Sequence, residues 1–417
     1  MSGDWGAGRG VPLEHADALD AGYRPRLLWI PHNGWRRLAG QRPTQLARHL
    51  ADRFEIHVIS WIQPAGRELV RLGAARSYWD PECPGLRVHE VVLAPNLYRL
   101  AVRGYPPAWC VLPNQVLFRR HILGVLRRWR FDVGIVASSH HFTGYPSLRL
   151  PFPWIFDYLD LSPPAVERAY CGCATAVVAA SPALADRAAR HGRPVVTVPN
   201  GLEGERYRGL DAAACRRRLG LEGRSVVSLI GLTASARLYF VEAAARALRN
   251  RPGVLLAVGD GPLRAPIAAR AQALGLPCQL PGWVDPRQVA DYFAATDVGL
   301  YPGEDTPYFR AALPLKTLEY LAAGRPVVSS PVDAYHRLGL RGVITAPPTT
   351  EGFALGIGAA LARGGIAPAA LEGFTWRALA DRLSDCLHQV LAIAPCTGWP
   401  AWHGGPADRR NGAGWAR

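Results

Sequence analysis

Residues 314–331 read PLKTLEYLAAGRPVVSSP, and their punctuation decides the fold. Pro314 suits the first turn of a helix, and Gly324 with Pro326 suits its end. Leu318, Leu321 and Ala322 recur at i, i+3 and i+4, the face a helix lays on a sheet. The apolar run from 327 to 330 then reads as a strand. A helix feeding a buried strand is the repeating unit of a parallel α/β sheet. The same stretch carries Lys316, the single lysine among 48 lysines and arginines. It falls in the first helical turn, where the helix dipole disfavours a cation unless an anion lies nearby, and helix N-termini are ready anion sites. Lysine ahead of glutamate is also the weaker order for a helical ion pair. Two readings follow: a solvated pair on an exposed face, or a site. In the second, Lys316 meets a phosphate and Glu319, one turn on, accepts hydrogen bonds from vicinal hydroxyls such as those of a ribose.

Working outward, the alternation of strand and helix runs through most of the chain. RLLWIPHNGW is a strand at 27–30 closed by a turn, PTQLARHLADRF is helical, and EIHVISW is the next strand. The rhythm returns in VLFRRHILGVLRRWR (helix), DVGIVAS and PWIFDYL (strands), PALADRAARHG (helix) and VVTVPNG (strand). A polar stretch after Gly201 suits a domain start. A second series then follows: SVVSLIGL, YFVEAAARALRN, VLLAVGDGP, IAARAQALG, CQLPGWV, RQVADYFAATD and VGLYP. This expects a flexible arm at 1–22, one unit at 23–202, a second at 203–374, a closing helix at 375–394 and a disordered tail at 395–417. Gly6, Gly8 and Gly10 follow no strand and carry no weight as a phosphate loop.

Composition narrows the classes. The 417 residues are 49% hydrophobic with a formal net charge of +15, enough for two cores and attractive to anions. No helix-turn-helix, zinc-finger or aromatic RNA-binding signature accompanies the charge, so nucleic acid is not expected as a partner. The eight cysteines are scattered without a CxxC pair, the pattern of reduced thiols rather than a disulfide framework or zinc site. The N-terminal residues lack the apolar core of a signal peptide, and no run approaches a membrane span. The expected location is cytoplasmic. FRRHILGVLRRWR is cationic and partly amphipathic; it is either a solvated basic face or, through residues 116–130, a peripheral contact with a membrane.

PLKTLEYLAAGRPVVSSP resembles the donor-site segment of GT-B glycosyltransferases of the family 4 (group 1) kind. VPNGLEGERY, LLAVGDGPL, LPGWVDPRQVADYFAATDVGLYP and WRRLAGQRPTQLARHLA resemble other family segments in order and spacing, over about residues 25–393. The resemblance implies two Rossmann-like parallel-sheet domains facing across a cleft, with a C-terminal helix crossing back to the first. It implies transfer of a sugar from a nucleotide sugar to a natural-product, polysaccharide or lipid acceptor, with retention. Glu319 would hold the ribose; Lys316, the Leu315 main-chain N–H and Arg237 would meet the pyrophosphate. The base would rest against Gly282, Trp283 and Val284, although Trp283 is equally readable as core. Related transferases place a histidine from the first domain near the donor sugar, which points to His141 or His140 after a strand end. The Asn33 and Gly34 main chain would approach phosphate or acceptor.

The chain also departs from the family pattern. The phosphate loop GLTASARLYF offers Arg237 alone, without a lysine. The glutamate that usually lies eight positions before the ribose glutamate is Ala311; either Glu304 and Asp305 would take its place, or main-chain N–H groups and Tyr308 would serve the sugar. Asp157 and Asp160 are either structural acids or a base. No D-x-D occurs, so no metal or other cofactor is expected; the helix end, Arg237 and Lys316 would neutralise the departing diphosphate. Two rivals remain: an impaired auxiliary binding protein, and a sugar-nucleotide epimerase on the same fold.

Overall fold

The computed structural model describes residues 23–38, 40–63, 71–94, 108–138, 150–232, 236–367 and 371–393. The expected arm at 1–22 and tail at 395–417 lie outside them. Among the described residues the chain forms two sheets. The first holds β1 (Arg26–Ile30), β2 (Glu55–Ile62), β3 (Ala75–Trp79), β4 (Leu86–Val92), β5 (Val133–Ala137), β6 (Trp154–Tyr158), β7 (Ala176–Ala179) and β8 (Val195–Thr197). Their spatial order is β3-β4-β2-β1-β5-β6-β7-β8. The strands pair in parallel except for edge strand β3, which runs antiparallel to β4. Helices α1 (Arg42–Leu50), α2 (Ala108–Arg128), α3 (Pro164–Cys173) and α4 (Pro182–Ala189) connect them.

The second sheet holds β9 (Ser225–Ile230), β10 (Gly253–Val258), β11 (Cys278–Gly282), β12 (Val298–Tyr301), β13 (Val327–Ser329) and β14 (Val343–Thr345), in the order β11-β10-β9-β12-β13-β14. Its helices are α5 (Ala212–Leu219), α6 (Tyr239–Ala247), α7 (Arg264–Ala273), α8 (Val289–Ala295), α9 (Pro307–Ala311), α10 (Leu315–Ala322), α11 (Asp333–Arg337) and α12 (Thr350–Arg363). Apolar runs such as SVVSLI and GVLLAV are buried on both faces, as parallel strands flanked by helices must be. In both sheets the strand order reverses beside the first strand, at β1/β5 and at β9/β12. Such switch points open a crevice at the carboxyl ends of the strands.

The last helix, α13 (Trp376–Ile393), packs Leu379, Leu383 and Leu387 into the same core as Leu46 and Leu50 of α1. It thereby returns to the first sheet. The outgoing crossing meets it where Leu202 N–H donates to the Phe374 carbonyl at 2.9 Å. Gly201 is needed here: a Cβ would lie 2.7 Å from the Trp376 ring.

Two pieces depart from the sequence pattern. β3 and β4 do not read as strands because β4 interleaves His89 and Glu90 with its apolar residues, and both are buried. β3 satisfies them across the ladder: Arg76 binds Glu90 at 2.6 Å, and Ser77 Oγ lies 2.8 Å from His89 Nδ1. The six cysteines with described side chains are free thiols.

Candidate binding cleft

α10 begins at Pro314 without a side-chain cap, so its first N–H groups are left to the cleft. Tyr320, in the middle of the helix, fixes it to the sheet. Its hydroxyl accepts from Ile230 N–H at 3.1 Å and donates to the Ser228 carbonyl at 3.1 Å, within a hydroxyl cluster with Thr296. Gly299 of β12 leaves room for its ring, since a Cβ there would lie 2.6 Å away.

Around the helix start three strand-end loops converge. Gly231, with φ +92°, stands beside Lys316: a Cβ on it would lie 3.7 Å from Lys316 Cε. Gly259 donates its N–H to the Gly282 carbonyl at 2.9 Å. Gly261 is so close to Leu232 that a Cβ would meet its carbonyl at 2.8 Å. Glycine is required where main chain lies this close to main chain. The resulting surface is a shallow cradle of backbone around the positive helix end.

Lys316 and Glu319 meet in this cradle. Lys316 Nζ lies 2.8 Å from Glu319 Oε2, and Tyr207 donates its hydroxyl to Glu319 Oε1 at 2.8 Å. Phe293 forms the floor, with Lys316 Nζ 5.5 Å from its ring centre. Lysine ahead of glutamate therefore does form an ion pair. The unfavourable order is outweighed because Glu319 is only 8% exposed, so the attraction is little screened. Burial and the Glu319 carboxylate push the Tyr207 phenol well above its ordinary range, so Tyr207 stays a donor. Tyr207 and Phe293 were not legible as site residues; the sequence signal was only their place in VPNGLEGERY and LPGWVDPRQVADYFAATDVGLYP.

The other expected residues distribute as follows. Leu315 opens α10. Arg237 is exposed on the β9–α6 loop, its Nε 2.6 Å from Glu304 Oε1; residues 233–235 of that loop lie outside the described residues. Trp283 is 72% exposed beside Gly282 and half-buried Val284, which rules out the core reading. Across the crevice, burial and the neighbouring Asp160 carboxylate raise the Tyr308 pKa. Asp157, 2% exposed, is instead held by Arg42 Nη2 at 3.1 Å. Arg42 Nη1 also donates to the carbonyls of Val198 and Pro199, at 2.6 and 2.7 Å, and so ties α1 to the crossing strand. Gly34 donates its N–H to the Asn33 side chain at 2.8 Å and abuts β2, where a Cβ would lie 2.5 Å from the Trp61 carbonyl. His140 and His141 lie outside the described residues.

Ala311 is buried in the contact between the two units, and its carbonyl accepts from Ser181 Oγ at 2.5 Å. Asn200 Nδ2 donates to the Leu313 carbonyl at 3.0 Å, and Arg337 grips Asp186 with both terminal nitrogens. Among the described residues no group of three His, Cys, Asp or Glu side chains gathers for a metal, and no helix is long and apolar enough to cross a membrane.

Residues 226–363, within the second unit, match the model of the family Glycosyl transferases group 1. A putative teichuronic acid biosynthesis glycosyltransferase, TuaH of Bacillus subtilis, is 35% identical over 138 residues, 33% of this chain and 34% of the relative. The match thus spans about a third of the relative's length. Sucrose-phosphate synthase of Thermosynechococcus elongatus superposes with a TM-score of 0.64 at 18% identity, over 89% of this chain and all of that one. HepE of Anabaena, in complex with UDP and glucose, gives 0.58 at 14% identity, over 88% and 100%. The fold is GT-B.

Proposed function

We propose that this chain transfers a sugar from a nucleotide-sugar donor to an acceptor held on the side of the first unit. The observation that carries the reading is the Lys316–Glu319–Tyr207 cluster at an uncapped helix start, ringed by close-packed glycine loops. A nucleoside diphosphate matches that chemistry. Its phosphates suit the Leu315 N–H, Lys316 and Arg237; its ribose hydroxyls suit Glu319; its base suits the main chain at 282–284 with exposed Trp283. HepE, which shares the fold, is a complex with UDP and glucose, in keeping with a donor of this class. Departure of the diphosphate is eased by the helix end and the two cations, with no step assigned to a metal. Retention, His141 or His140 as the group beside the sugar, and Asn33–Gly34 as the acceptor-side loop belong to the same reading. So does peripheral membrane contact through residues 116–130.

The acceptor class is a natural product, a polysaccharide or a lipid. The burial of Ala311 against Ser181 favours one second reading, a binding protein with impaired turnover, because no carboxylate reaches the sugar from that position.

Calorimetry against UDP, GDP, dTDP and ADP and their sugar conjugates, without added metal, tests the reading. One nucleotide should bind, and Glu319→Gln should weaken it about tenfold, the loss of roughly one charged hydrogen bond. Equal affinity in the variant would remove Glu319 from the site. Binding without release of diphosphate in the presence of acceptors would favour the impaired protein.

A further inference from the structure

The first unit has one side that the cleft does not use, where α2 and edge strand β3 lie together. Two contacts join them. Gly73, just before β3, sits so that a Cβ would be 3.2 Å from Leu117 of α2. At the other end Arg87 of β4 is layered between two tryptophans, 5.4 Å from the Trp79 ring centre and 4.8 Å from that of Trp129.

The chemistry of this side is lopsided. Residues 108–130 contain no aspartate or glutamate. Arg119, Arg120, Arg127, Arg128 and Arg130 are exposed, and among the described residues none forms an ion pair. Arg87 forms no ion pair within 4 Å among the described residues either, and its buried Nε has no hydrogen-bond partner among them. Some exposed arginines elsewhere do answer a carboxylate, as Arg310 answers Asp305 and Arg337 answers Asp186.

Between the arginines stand apolar side chains that a soluble helix would normally turn inward. Leu112, Val116 and Leu123 are exposed on α2, Val116 at 59%; beside them Leu72 is exposed and Trp79 of β3 is 58% exposed. The inner face is already satisfied, since Phe118, Ile122 and Val125 fill the core. The stripe of 112, 116, 119, 120, 123 and 127 therefore faces outward as a mixture of aliphatic and guanidinium groups. Tryptophan at its rim completes the composition that suits a boundary between headgroups and acyl chains.

We propose that this side of the first unit docks on an anionic lipid surface. The aliphatic side chains and Trp79 enter the interfacial layer, and the unpaired arginines meet headgroup phosphates. The proposal deepens the membrane contact named above by extending it from the helix to β3 and by specifying the lipid charge. It does not depend on sugar transfer.

Co-sedimentation of the full chain with phosphatidylcholine vesicles, with and without phosphatidylglycerol, tests it. Binding is expected only with the anionic lipid and should fall as salt rises. Arg119→Ser/Arg120→Ser/Arg127→Ser should lower the partition coefficient about 100-fold, at roughly fivefold per arginine. Leu112→Ser/Val116→Ser should lower it with all charges kept. Circular dichroism and nucleoside diphosphate binding should be unchanged in both, which separates loss of this surface from loss of the cleft. No sedimentation with phosphatidylglycerol would overturn the proposal. So would sedimentation indifferent to the arginine variant, or binding to an RNA homopolymer without binding to vesicles.

Discussion

The two sheets solve one packing problem with different polar chemistry. In the second sheet the buried polar groups are hydroxyls: Ser228, Thr296 and Tyr320 in one cluster, and Thr317, Ser329 and Tyr335 in another. In the first they titrate. His57 Nδ1 lies 2.9 Å from His89 Nε2, His57 Nε2 lies 3.1 Å from Glu55, and Glu90 is buried against Arg76. Hydroxyls keep their protons at any ordinary pH, whereas imidazoles do not. Between pH 7 and pH 5 the first unit should therefore respond to acid more than the second.

The comparison can be broken at its joint first. Arg42→Met removes the guanidinium from buried Asp157 and from the crossing strand. The expected loss is about 4 kcal/mol, the cost of an uncompensated buried charge, read as a drop in urea midpoint. A loss under about 1 kcal/mol would mean that Asp157 is solvated or protonated in the variant.

Acid should separate the two units next. Burial pushes the His89 imidazole down to about 3 and lowers that of His57 as well. The unfolded chain takes up these protons near the ordinary value of 6.5, while the folded chain resists. The unfolded state thus binds more protons between those values, and stability falls as pH drops through them. From pH 7 to pH 5, His89 alone should remove about 2 kcal/mol. Hydrogen exchange should show amides of β2 and β4 losing protection while those of β9 and β12 keep theirs. His89→Gln should flatten the difference.

Tyr320→Phe sharpens the contrast from the other side. It strips one hydroxyl from three partners and should cost about 1.5 kcal/mol, by the same amount at pH 7 and pH 5. A pH-dependent loss would contradict the neutral character of that cluster. The smallest effect is expected at the surface contact between the units. Arg337→Ala should cost less than about 1 kcal/mol and only at low salt, seen as a slight shift in melting temperature.

How much of this was legible depended on whether a residue's partners are near in sequence. α10 was readable because its cap, apolar face and stop lie within one stretch. Glu319 and Lys316 stood out because a cation at a helix start contradicts the dipole. The fold class followed from alternating apolar strands and helices. β3 and β4 were not legible, since His89 and Glu90 look like surface residues until β3 supplies Ser77 and Arg76. Arg42 looked like one arginine of 47, because its partners lie 115 and more positions away. Asp157 and Asp160, three apart at one strand end, read alike in sequence; only the fold turns one inward to Arg42 and the other toward Tyr308.

Arg42 also bears on how such a chain can vary. A guanidinium that grips two carbonyl oxygens reads the path of the backbone and not the letters written along it. Residue identity at Pro199 is therefore free to drift, or to be replaced by that of a distant homologue, provided the chain leaves the first sheet along the same line. A crossover placed after residue 199, with α13 kept from the first parent because it packs on the first sheet, would keep the grip intact while exchanging the second unit. Shuffled chimeras joined there should keep the chain crossing in place whichever parent supplies the second unit.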